Sequence, residues 1–332
     1  MPALGRRASA RPNSQVAAGL ALMPACPGVY LMRDERGRVI YIGRSGNLRA
    51  RVRSYWGPLG GRRRLVRMRE RVVWVEPVIL ASEHEAAFLE RHLLHLRRPV
   101  YNRALGGQES WIWLRLATSP AAPGLAVVHE PEVGEGEILF GPYLGGGDAR
   151  LAAAALLRLY PVAYTMARPD SSAREMGRLR GVGPEDRQVL LERIRVVLDR
   201  EPAAVAAALG GLAALRDEAA LGERYEDAAI RQQQLQAIDW VTQPQGIAAP
   251  AGPDLRASAI GREGGATVQV TFEIRSGSFR DRHTAVLDPG VPDPVAAADA
   301  HWTMLAQANA DLMARLVAAG AVGEGLGRLT GR

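Results

Sequence analysis

Two tripeptides constrain this chain more than anything else in it: Gly28-Val29-Tyr30 and Tyr41-Ile42-Gly43, with their tyrosines eleven positions apart. The residues between them read as strand, polar turn, strand. Asp34-Glu35-Arg36-Gly37 has the composition of a tight hairpin turn, and both flanks are apolar and β-prone. A hairpin of this kind sets the two tyrosines close together on neighbouring strands. Tyrosines followed by Arg44 and Arg51 suit phosphate chemistry, whereas two tyrosines in an ordinary antiparallel pair need no such company.

The next elements can be read from local signals. Asn47 is placed to cap a helix running to about Tyr55, which puts Arg51 and Tyr55, four apart, on one face. A buried strand is expected over 72–79. Ser82 with Glu85 three residues later forms a capping box for a helix to about Leu96, with Phe88, Leu89, His92, Leu93 and Leu96 facing inward and Glu90 off that stripe.

Charge narrows the choice of partner. The net charge is +7 and every one of the 42 basic residues is arginine. This points to GC-rich coding, so no single arginine is read as chosen over lysine. Residues 33–71 hold thirteen arginines against Asp34, Glu35 and Glu70. A solvated helix face is the plain explanation of such a run. Its position directly after the tyrosine pair favours a phosphate-tracking surface made of Arg49, Arg53, Arg62, Arg63, Arg64 and Arg67. A single cysteine, Cys26, forms no internal disulfide, and no apolar run reaches membrane-spanning length, so a soluble, cytoplasmic protein is expected. Residues 1–22 read as a disordered lead-in rather than a secretion signal.

The stretch from Pro24 to Tyr30, the stretch from Tyr41 to Tyr55, and the closing segments Glu85–Glu90 and Pro99-Val100-Tyr101-Asn102 together resemble the GIY-YIG nuclease superfamily, in its UvrC-like branch. The resemblance implies an α+β fold for residues 23–105, a central antiparallel sheet of about three strands flanked by helices. It also implies an endonuclease using one divalent cation, Mg²⁺ or Mn²⁺. Glu90 is the carboxylate it assigns to the metal, with Glu85 as the nearby alternative. Tyr30, Tyr41, Arg44, Arg51, Tyr55, Glu90 and Asn102 form the implied catalytic set. Arg51 would hold a permanent charge against the scissile phosphate, and Arg44 stands where lysine is frequent. Tyr30 and Tyr41 both remain candidates to activate or orient water. An ordinary tyrosine, near pKa 10, is a poor base, so nearby cations would have to lower it. Tyr55 is expected to hydrogen-bond the site, and Asn102 to brace the loop against the Glu90 helix.

Beyond residue 105 the resemblance thins. Residues 106–201 are similar to the UvrC-like central region, which usually carries four cysteines thought to hold an iron–sulfur cluster. Residues 160–184 contain none, so no cluster is expected. Residues 202–242 resemble the UVR helical hairpin, implying contact with a UvrB-like protein through 212–241, with Tyr225, Ala228, Ala229 and Arg231 at the interface. A linker is expected over 243–253, a small α/β C-terminal domain over 254–320, and a tail over 321–332. No ribonuclease-H-like or helix-hairpin-helix region is recognised in the sequence.

Other chemistries find less support. His92 and His95 lack the H-E-x-x-H zinc pattern, Gly145-Gly146-Gly147 lacks the Lys-Ser/Thr of a phosphate loop, and no serine sits in a nucleophile elbow. The expected substrate is double-stranded, damaged DNA, incised on one strand 3′ of the lesion, as the resemblance implies. The competing reading is a non-catalytic DNA- or UvrB-binding accessory derived from such a nuclease.

Overall fold

The structure is a computed structural model that describes residues 11–102, 110–130, 132–246, 253–288, 290–294, 299–323 and 327–329. Residues 1–10 of the expected lead-in and 247–252 of the expected linker lie outside the described residues. The chain forms two compact units, one of residues 1–107 with 244–332 and one of residues 108–243.

The expected lead-in is corrected at its end: Ser14–Leu22 form a helix, α1. The Asn13 side chain caps Val16 N at 2.8 Å and donates to Val72 O at 3.2 Å, and Val16 is buried. A cap and one core anchor therefore order this segment.

The hairpin follows as β1 (Gly28–Arg33) and β2 (Val39–Ser45). Gly37, at φ 71°, donates its N–H to Asp34 O at 2.9 Å, and the Asp34 carboxylate accepts the N–H groups of Arg36 and Arg38. A register shift lies between Met32 and Arg33. Asn47 caps α2 (Leu48–Ser54), accepting from Ala50 N at 3.0 Å. The arginine run forms α3 (Arg63–Arg71), and β3 (Trp74–Ile79) then returns antiparallel to β1. The sheet order is β2-β1-β3, so the central strand β1 is buried along nearly its whole length. Ser82 caps α4 (Glu83–Arg97) as expected, accepting from Glu85 N. The Glu85 carboxylate reaches Ala81 N at 2.9 Å, one residue earlier than a capping box would place it.

The second unit opens on β4 (Trp111–Ala117), β5 (Leu125–Val128) and β6 (Glu137–Leu144), an antiparallel sheet ordered β5-β4-β6. It packs on α5 (Gly146–Leu159) through Ile112, Leu114, Ala152 and Leu156. Next come α6 (Ser171–Arg180) and α7 (Arg187–Leu198). The buried guanidinium of Arg187 donates to the carbonyls of Ser119 and Ala122, at 2.6 and 2.8 Å, and so fastens the β4–β5 loop. The unit ends in a helical hairpin, α8 (Pro202–Leu221) and α9 (Tyr225–Val241), broken at Gly222.

The chain then rejoins the first unit. β7 (Leu255–Glu263), β8 (Ala266–Arg275) and β9 (Ser278–Leu287) form an antiparallel meander, and α10 (Ala300–Ala318) packs on β7 and β8. A short β10 (Gly327–Leu329) runs parallel to β9. This segment shares one hydrophobic core with the N-terminal residues: Phe272, Phe279, Trp302 and Leu305 join Val29, Leu31, Leu89 and Leu93. Each such side chain contributes on the order of 1.5–3 kcal/mol when fully buried. No helix among the described residues is long and apolar enough to cross a membrane.

Candidate functional site

Two glycines show why the tripeptides have their form. A Cβ on Gly43 would lie 2.3 Å from the Tyr30 hydroxyl oxygen, because the Tyr30 ring crosses directly over this residue of β2. One on Gly28 would lie 2.2 Å from Val78 O, where β1 meets β3 closely. Strand pairing places Tyr30 opposite Gly43 and Met32 opposite Tyr41. The ring centroids of Tyr30 and Tyr41 stand 6.2 Å apart, and Tyr55, delivered by the end of α2, lies 5.9 Å from each.

These hydroxyls form an ordered chain. Tyr55 donates to Tyr41 at 3.2 Å. A hydroxyl has one proton, so in the 2.7 Å contact between Tyr30 and Tyr55 it is Tyr30 that donates. The Arg51 guanidinium sits 5.3 Å from the Tyr55 ring centroid, and its charge acts on the Tyr30 hydroxyl. The polarity runs Tyr30, Tyr55, Tyr41, and the Tyr41 proton lies at its end. Tyr30 and Tyr55 are buried, while Tyr41 is half-buried, so Tyr41 is the tyrosine of the three that reaches the surface.

Burial pushes the Tyr30 hydroxyl well above the ordinary tyrosine range, with Tyr55 and Tyr41 adding and Arg51 opposing. Burial likewise raises Tyr41, with contributions from Tyr55 and Glu90. The lowering that a phenolate base would require is therefore not supplied by the arginines. Both hydroxyls stay neutral near pH 7, fit for hydrogen bonding and orientation.

Glu90 projects from α4, partly exposed, and its carboxylate pairs with Arg44 Nε at 3.1 Å. Asn102 is placed differently from the expectation. It clasps β2, accepting from Ile42 N at 3.0 Å and donating to Ile42 O at 2.8 Å. Its amide pairs with this strand as another peptide would, and so fixes the residue between Tyr41 and Gly43. Among the described residues no three His, Cys, Asp or Glu side chains gather as a metal cage. The donor set is one carboxylate beside tyrosine hydroxyls, which fits Mg²⁺, an ion that keeps several waters and takes one or two carboxylates.

The basic set flanks this cluster. Arg49 donates to Met23 O, Arg53 to Leu20 O, Arg62 to Leu59 O and Arg64 to Val100 O. Bonds to neutral carbonyls orient these guanidiniums and leave their charge in place. Arg63 and Arg67 are exposed on α3. In the other unit, Tyr225 stands 69% exposed at the tip of the helical hairpin. Leu221 and Ile230, on which no sequence signal fell, are exposed on the same hairpin, and Ala229 is exposed too. Ala228 is half-buried. Arg231 turns inward, buried and bonded to Gln234 Oε1 at 2.8 Å. Their positions in the α9 periodicity separate these fates: Arg231 shares the inward face with Gln234 and Ile238.

A hairpin carrying paired tyrosines, an arginine helix behind it and a carboxylate presented from the next long helix define a domain of the GIY-YIG type. Residues 26–103 match the model of the UvrC-like GIY-YIG domain, so this domain is of that family. Over 276 residues it is 31% identical to the UvrABC system protein C of Geobacter metallireducens, covering 78% of this chain and 43% of that relative. With the same protein of Moorella thermoacetica it shares 31% identity over 272 residues, 79% of this chain and 44% of the relative. The chain thus spans less than half the length of these curated relatives. The crystal structure of the GIY-YIG N-terminal endonuclease domain of UvrC from Thermotoga maritima, bound to its catalytic divalent cation magnesium, is 35% identical. That match covers 26% of this chain and 93% of the other, with a TM-score of 0.24.

Proposed function

We propose that this protein is a divalent-cation-dependent DNA endonuclease that makes single-strand incisions in a UvrC-like excision-repair role. The observation that carries this reading is the convergence on one domain of a tyrosine hydrogen-bond chain, the Arg51 guanidinium set against it, and the Glu90–Arg44 pair. Glu90 would hold the metal. A bound divalent cation supplies Lewis-acid and charge-clamp chemistry at the scissile phosphate. Tyr41, at the surface end of the hydroxyl chain, orients the attacking water. Tyr30 and Tyr55 hold Tyr41 in place. Arg51 gives the cluster a fixed positive charge that the phosphate meets most strongly as its own charge peaks. Asn102 keeps Tyr41 and Gly43 in register.

The substrate is double-stranded, damaged DNA, held along Arg49, Arg53, Arg62, Arg63, Arg64 and Arg67, in the cytoplasm. Incision falls 3′ of the lesion, and a UvrB-like protein recruits the chain through the exposed tip of the helical hairpin around Tyr225. No iron–sulfur cluster takes part. The UvrABC system relatives and the UvrC-like domain match support this role.

The test is cleavage of an end-labelled lesion-bearing duplex in Mg²⁺ or Mn²⁺, with and without a UvrB-like partner. The proposal expects one nick, 3′ of the lesion, that disappears in EDTA. Binding to the partner or to DNA with no nick in either metal would replace it with the accessory reading.

A further inference from the structure

The catalytic sheet is closed at both edges by an asparagine, and one of the two comes from the far end of the chain. Asn102 clasps Ile42 on β2. Asn309 of α10 clasps Ile79, the last residue of β3, in the same way: it accepts from Ile79 N at 2.9 Å and donates to Ile79 O at 2.9 Å. Its second amide proton goes to Leu305 O at 2.8 Å, and the side chain is wholly buried. Two residues beyond Ile79, Ala81 N donates to the fully buried Glu85 carboxylate on the first turn of α4. The other oxygen of Glu85 receives Gly246 N at 2.9 Å and lies 2.8 Å from His301 Nε2.

The junction from β3 to α4 is therefore held by residues 246, 301 and 309. A buried carboxylate is costly unless partnered, and two of the partners of Glu85 belong to the C-terminal segment. Glu90 sits five residues further along the same helix, about 7.5 Å on at 1.5 Å per residue. Whatever fixes the end of β3 and the first turn of α4 fixes where Glu90 stands relative to Tyr41.

We propose that His301 and Asn309 are positioning residues for Glu90, so that residues 244–332 form part of the frame of the metal site. This rests on the reading of Glu90 as the metal ligand. The test uses the full chain without DNA: Mn²⁺ affinity by electron paramagnetic resonance, and amide hydrogen exchange over 79–90. His301→Ala and Asn309→Leu are expected to weaken Mn²⁺ binding about tenfold, as changes to the support of a metal ligand do. Exchange over 79–90 should quicken while that of 28–33 holds. His301→Gln, which keeps a donor toward Glu85, should restore binding. If Asn309→Leu does not melt cooperatively, the two His301 variants carry the test. Loss of Mn²⁺ in Glu90→Gln with wild-type affinity in His301→Ala overturns the positioning roles alone. Wild-type affinity in Glu90→Gln overturns the reading of Glu90 and the proposal built on it.

Discussion

Replacing Gly43 by alanine tests the tyrosine cluster with a single methyl group. That carbon would stand 2.3 Å from the Tyr30 hydroxyl oxygen and 2.5 Å from Cζ, where ordinary contact begins near 3.4 Å. The ring must retreat by about 1 Å. It has nowhere to go, because Tyr30 is wholly buried with Tyr41 and Tyr55 packed against it. Overpacking of this kind costs about 1–3 kcal/mol. A displacement of that size in a reacting array lowers turnover by roughly a hundredfold. Urea unfolding and single-turnover nicking measure the two effects. In a Tyr30→Leu background the clashing ring atoms are gone, so the stability cost of Gly43→Ala should shrink to below about 0.5 kcal/mol, a departure from additivity that marks direct contact. Equal costs in both backgrounds, or a Gly43→Ala protein as stable and active as wild type, would refute the reasoning.

Asn102→Leu removes both bonds to Ile42 and should lower stability by about 1–3 kcal/mol, at about 0.5–1.5 kcal/mol per hydrogen bond, with an unchanged urea m-value. Arg63→Glu with Arg67→Glu should weaken DNA binding evenly across sequences and flatten its salt dependence by a slope of roughly 1 per lost phosphate contact. The pH profile of stability should carry the mark of His301. Its contact with Glu85 raises His301 from an ordinary 6.5, against the lowering effect of burial. A raised folded-state value means the native state binds the extra proton. The stabilisation is then complete below about pH 6.5 and lost as pH climbs through the raised value. Thermal melts over that window should fall more steeply for wild type than for His301→Gln, and parallel curves would contradict the assignment.

What the sequence discloses and what it hides divide by range. The hairpin and the Asn47 and Ser82 caps rest on turn chemistry and capping oxygens within a few residues, and each stands close to its expected place. The closeness of Tyr30 and Tyr41 is foreseeable because a short hairpin brings diagonal neighbours on its two strands within reach of each other. Asn102 shows the limit: its residue type was noted, but its target, Ile42, lies 60 positions back and the bond could not be read from spacing. Asn309 lies 230 positions from Ile79, and nothing local sets it apart from any other asparagine on an apolar helix. The α1 helix is hidden for the same reason, since its core contact and its bond to Val72, the C-cap of α3, come from distant parts of the chain. Arg231 turns inward, away from the interface expected of it, because a motif position tells which residue is present and not which face of α9 packs.

The account stands most directly on Glu90. Single-turnover nicking of a lesion-bearing duplex in Mg²⁺, wild type against Glu90→Gln with the UvrB-like partner present, isolates it, because the substitution keeps side-chain size and removes only the charge. The account predicts incision by wild type and a loss of at least about a hundredfold in the variant, a transition-state deficit near 2.7 kcal/mol, with DNA binding retained. Equal incision by the two proteins would contradict it.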